Sequence, residues 1–277
     1  MSLKEKLTST LLALSLVYSP FSSYALPPST KSKRAPQTSS HKYFRIYEPL
    51  LEKVTKEKPV PANHVFLMNT KQLHQKCKRL DTMGCYTPNE DKIYIEKEVP
   101  PIITNLIIPI KSHFPYKCKN NVTYSDISIF HLWVWLHEQG HHFDRQYNGD
   151  KEVFANTFAL SALEYLIGTN NGSIDSRLLN LTLQTLHVYY KTYLYNNEHK
   201  KEKRGDYIKY YLDSEEIILA LLALPSINSL KTLHRHVQFM PLVDLRSEIY
   251  ANLGNLNTGA AKLEQLVNKI TDFKKCP

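Results

Sequence analysis

Past residue 25, the 277-residue sequence has no apolar run long enough to span a bilayer, so no transmembrane helix is expected. Its four cysteines, Cys77, Cys85, Cys118 and Cys276, include no Cys-x-x-Cys pair, which excludes a thiolate zinc site of the finger or ribbon kind. No cysteine directly follows the first apolar stretch, which argues against a bacterial lipoprotein, and no internal repeat is present. The formal charge is +9, yet no basic-aromatic interleaving and no nucleic-acid module accompany it. The densest basic run, Lys200-Lys201-Glu202-Lys203-Arg204, reads as a solvated loop, and no nucleic-acid partner is expected.

The N-terminus reads as a targeting segment. Lys4 and Lys6 precede an apolar stretch from Leu11 to Val17, and Ser23-Tyr24-Ala25 places small residues where a signal peptidase reads them. Residues 1–25 are therefore expected to be a signal peptide, with export to the periplasm or beyond. Lys4, Glu5 and Lys6 contribute +1, leaving +8 on the remainder. Residues 26–40, rich in Pro, Ser and Lys, read as a flexible linker. An even number of cysteines in an oxidising compartment allows up to two disulfides, and the spacings leave all three full pairings open.

The most informative stretch is Trp133-Val134-Trp135-Leu136-His137-Glu138-Gln139-Gly140-His141-His142-Phe143-Asp144. Residues four apart share a helix face, so His137 and His141 can meet one small cation. Glu138 turns aside from that pair and is placed to reach a water at the cation. This His-Glu-x-x-His spacing is the zincin signature, and it points to Zn2+. The helix itself is well marked. Thr123 and Asp126 form a capping-box pattern, and Ile127 to Leu136 are apolar almost all round, as in a helix buried within a domain.

The third ligand follows from spacing. A metzincin would need Gly and His where Asp144 and Tyr147 stand, and Gly168-Thr169 is too slight a trace for an aspartate-ligand site. Asp150 is a good N-cap and Gly168 a good terminator, so a second helix runs between them. Glu152 lies in its first turn, on the face of Ala155, Asn156 and Ala159, and these small residues allow close approach of the two helices. Asn156, one turn on, can accept the free ring N–H of a ligand histidine. Taken singly, each of these residues also has an ordinary surface or core use. Their joint spacing favours a metal site.

Glu-x-x-Ala-Asn-x-x-Ala, about a dozen residues after His-Glu-x-Gly-His, resembles the gluzincin metallopeptidases, especially the small ImmA/IrrE-like kind. The resemblance covers roughly residues 64–167. It implies His137, His141 and Glu152 as zinc ligands, Glu138 as general base and Asn156 as support for a histidine. Gly84 to Ile95 resembles the hairpin that precedes the first motif helix in such proteins, whose last strand lies along the cleft and pairs with an extended protein or peptide substrate.

The fold is expected to be α+β and mostly α. A zincin-like catalytic core with a small sheet would occupy 41–170, and a helical extension 171–277. His64–Met68 and Lys92–Glu96 read as strands, and Tyr43–Leu51 as helical or mixed. Four more helices are expected, about 176–196, 213–224, 241–253 and 258–272, the second capped by Asp213 and followed by Pro225. Tyr189, Tyr190, Tyr193 and Tyr195 are candidates to line a peptide groove, although packing is the commoner use of tyrosine. The expected activity is zinc-dependent hydrolysis of peptide bonds. The rival is an exported binding or toxin-like protein on a peptidase fold that acts through its C-terminal helices.

Overall fold

The computed structural model describes residues 39–79, 82–99, 126–144, 151–168 and 214–271, together with 179, 181–183, 185, 186, 189 and 190. The expected signal peptide, nearly all of the expected linker, the caps Thr123, Asp150 and Asp213, and Cys118 and Cys276 lie outside the described residues, as do Tyr193 and Tyr195. The chain is mostly helical with one small mixed sheet, the α+β class read from the sequence.

Helix α1 (Ser39–Thr55) begins two residues inside the stretch read as a linker. It buries Phe44, Tyr47 and Leu51, which recur at helical spacing on one face. After a short 3-10 turn at Ala62–His64 come β1 (Val65–Met68) and α2 (Thr70–Cys77). The Asn69 side chain accepts from the Gln72 N–H at 2.9 Å and so caps the first turn of α2. Strands β2 (Gly84–Thr87) and β3 (Lys92–Glu96) form the expected hairpin. In the sheet order β1-β3-β2, β1 runs parallel to β3 and β2 antiparallel to it. Ile93 and Ile95 of β3 are fully buried, whereas Phe66 of β1 stacks on Tyr94 across the opposite face.

The sheet lies against α3 (Asp126–Phe143), and α3 packs along α4 (Lys151–Gly168). Val153 to Leu160 of α4 are buried without a break, so this stretch of α4 is enclosed on all sides. Trp135 of α3 is fully buried, stacked on Phe44 at 5.2 Å between ring centres. Of the expected helix 176–196, the described positions from 179 to 190 are helical. Tyr189 stacks on Trp133 and Tyr190 is buried, both in the packing role.

Three C-terminal expectations are met by α5 (Ser214–Leu222), α7 (Leu242–Asn252) and α8 (Leu256–Thr271). A further helix, α6 (Leu230–Phe239), was not expected there. It starts on a reciprocal cap: Ser229 Oγ accepts from Thr232 N–H at 3.0 Å, and Thr232 Oγ1 accepts from Ser229 N–H at 2.8 Å. Thr232 performs the return bond that Glu or Gln usually makes, which hides the signal from pattern reading. α6 buries Leu230, Leu233 and Val237 against α4, and α8 packs on α5. The helices of 214–271 thus share one hydrophobic core with the two motif helices.

Candidate metal centre

His137, Glu138 and His141 sit in the last two turns of α3, where the buried helix reaches the surface. Glu152 is in the first turn of α4, facing them. The approach is close because both helices are small where they cross. A Cβ on Gly140 would stand only 2.6 Å from Ala155 Cα, inside any real contact. Two clamps fix the end of α3. Gln139 exchanges two hydrogen bonds of 2.9 Å with the Val60 backbone, and His142 Nε2 lies 3.0 Å from the Lys58 carbonyl. His142 Nδ1 also lies 3.0 Å from Tyr86 Oη and 3.2 Å from Asp91 Oδ1, which ties α3 to the hairpin. His142 therefore has a structural role, and Asp144 is buried at the helix end.

One donor atom from each of His137, His141 and Glu152 lies within 4.8 Å of the others. The two Nε2 atoms are 3.1 Å apart, His137 Nε2 is 3.3 Å from Glu152 Oε2, and His141 Nε2 is 3.6 Å from Glu152 Oε1. Ligands about 2.0–2.1 Å from a tetrahedral Zn2+ stand about 3.3 Å from one another. The Nε2–Nε2 and His137–Glu152 separations are near that value, while Glu152 turns its other oxygen to His141, and two imidazoles with one carboxylate are a donor set that suits zinc. No other group of three potential ligands comes together among the described residues.

Asn156 lies where the sequence placed it. Its Oδ1 accepts from His137 Nδ1–H at 2.9 Å, and its Nδ2 donates to Ser214 Oγ at 3.1 Å. The proton on Nδ1 leaves the Nε2 lone pair directed at the cleft. Burial opposes charge on His137, but hydrogen bonding to Glu152 and the fields of Glu138 and Glu152 outweigh it and raise its pKa. Hydrogen bonds from His137 and then His141 hold the Glu152 carboxyl well below the usual carboxylate range.

Glu138 is buried at 4 % exposure, and burial raises its pKa, while the neighbouring histidines oppose the shift. It accepts from the Tyr86 backbone N–H, and its Oε2 has no hydrogen-bond partner. This open, buried carboxylate oxygen belongs to the residue next to His137, beside the group that could hold a metal ion. The strand beside it is β2: a Cβ on Gly84 would lie 3.0 Å from Glu138 Oε1 and 2.5 Å from Val134 Cγ1. The resemblance led us to expect the last strand of the hairpin along the cleft. Instead β3 is the central strand, paired on both sides, and the first hairpin strand forms the sheet edge at the site.

Two features of the site were not found in the sequence. The Cys77–Cys85 disulfide closes the segment between α2 and β2, one of the pairs that spacing left open. Within that segment, Arg79 Nη1 lies 3.9 Å from Glu152 Oε1. The short Cys-x7-Cys spacing was the available signal for a strap beside the hairpin, but nothing in the sequence alone aims Arg79 at Glu152.

Comparison of the chain with protein-family models, with curated proteins and with solved structures finds no match. What the chain displays is a His-His-Glu group near enough to hold a metal ion, on two helices beside a small sheet.

Proposed function

We propose that this protein is an exported zinc metallopeptidase of the gluzincin type, hydrolysing peptide bonds. The observation that carries the reading is the convergence of His137, His141 and Glu152, one donor atom from each within 4.8 Å of the others, with the buried carboxylate of Glu138 alongside. Zinc, when bound, supplies a Lewis acid that lowers the pKa of water and polarises a carbonyl oxygen. His137 and His141 would hold it through Nε2 and Glu152 through a carboxylate oxygen, with Asn156 fixing the His137 tautomer. Glu138 takes the proton from the attacking water and passes it to the leaving amine. Burial brings its basicity closer to neutral pH, and the Tyr86 N–H orients it.

Export is supported by the signal-like residues 1–25 and by the disulfide beside the cleft, which belongs to an oxidising compartment. No helix among the described residues is long and apolar enough to cross a membrane. The rival reading, a binding or toxin-like protein on a peptidase fold, has the intact Glu138 against it. The test is Glu138→Gln assayed on a quenched fluorescent peptide library. The variant is expected to keep zinc and lose nearly all turnover. Unchanged turnover, or no hydrolysis by the zinc-loaded wild type, would overturn the proposal.

A further inference from the structure

Arg79 approaches the cleft from a side that the mechanism does not use. Its side chain is 69 % exposed, and its contact with Glu152 is loose at 3.9 Å. Glu152 turns Oε2 toward His137 and Oε1 toward His141, so the arginine is a minor partner of that carboxylate.

The backbone holds Arg79 in this place. α2 ends at Cys77, Lys78 adopts a left-handed φ of 56° that turns the chain, and the Cys77–Cys85 disulfide ties the segment to the start of β2. That same strand backs Glu138 through Gly84 and the Tyr86 N–H. A cation thus stands next but one to a disulfide-bonded cysteine, 3.9 Å from a carboxylate of the candidate metal group. A guanidinium binds a carboxylate through two parallel N–H···O bonds, a geometry that lysine cannot reproduce.

We propose that Arg79 is a specificity-determining residue, selecting peptide substrates that carry a carboxylate next to the scissile bond. The carboxylate comes either from an acidic side chain or from a free C-terminus. This inference rests on the zinc-peptidase reading and adds the substrate class to it.

The test is calorimetric titration of the zinc-loaded full chain with short peptide hydroxamates, whose hydroxamate group ligates zinc. One pair compares Glu with Gln beside the hydroxamate on an amidated peptide. A second pair compares a free C-terminal carboxylate with its amide on a peptide of neutral side chains. The wild type is expected to bind the carboxylate member at least about tenfold more tightly in one of the pairs, and that pair identifies the source. Arg79→Ala should bring the ratio close to one, and Arg79→Lys should leave a reduced ratio that salt erodes further. Equal affinities within both pairs, or a preference that survives Arg79→Ala, overturns the proposal and leaves the zinc reading intact. Failure to take up zinc, or zinc uptake with no binding of the neutral hydroxamates, overturns the zinc-peptidase reading and this proposal with it.

Discussion

Gly140→Ala sets two effects of opposite sign against each other. By helix propensity alone, alanine in the interior of α3 should stabilise the protein by about 1 kcal/mol. The new Cβ, however, would stand 2.6 Å from Ala155 Cα, 3.0 Å from its carbonyl oxygen and 3.1 Å from its Cβ. Carbon atoms in contact sit about 3.5–4.0 Å apart, so α3 and α4 must separate by about 1 Å. Overpacking of this kind costs about 1–3 kcal/mol, which leaves a net loss of about 0–2 kcal/mol. The effect on the metal group is larger in proportion. Glu152 precedes Ala155 by three residues on the same helix, and metal–ligand distances hold to within about 0.2 Å, so a separation near 1 Å breaks the site. Zinc affinity should fall by at least about 10- to 100-fold, the scale seen when the supports of a metal site are disturbed. Chelator competition gives the affinity, and urea unfolding of the zinc-free protein gives the stability. A variant that is about 1 kcal/mol more stable with unchanged zinc affinity would refute the close approach of the two helices.

Asn156→Ala removes the acceptor of the His137 Nδ1 proton and should weaken zinc by about 10- to 100-fold; equal affinity in a chelator titration would dismiss its supporting role. His234, mostly buried between Phe154 and Phe158, has its pKa pulled down to about 4 by burial, against an ordinary value near 6.5. Between those values the unfolded chain binds more protons, so stability falls as pH drops from about 6.5 to 4, by up to about 3 kcal/mol. His234→Phe should flatten that part of the urea-derived stability curve, and a curve of unchanged slope would assign the pH dependence elsewhere.

The candidate site was legible because its residues lie on two helices, where spacing is geometry. His137 and His141 share a face by period, and Glu152 and Asn156 follow from an N-cap and a run of small residues. The fold class was legible for the same reason, since α3 is apolar all round and β3 is short, β-branched and hydrophobic. α2 escaped notice because its eight residues bury only Leu73 and carry little apolar period. α6 escaped because its cap uses Thr232 in place of the usual Glu or Gln. The strand order of the sheet is a long-range outcome. β1 and β3 are separated by α2 and the disulfide strap, and local pattern does not say on which side of β3 the parallel strand docks. Arg79 belongs to the same class, for its position depends on the Cys77–Cys85 closure.

Zinc content of the purified protein, measured beside His141→Ala and Glu152→Ala, tests the metal centre most directly. One zinc per wild-type chain, lost or much weakened in both variants, is the expected result. Zinc lost from the histidine variant alone would remove Glu152 as third ligand. A wild-type protein that binds no zinc even after reconstitution would contradict the metal centre altogether.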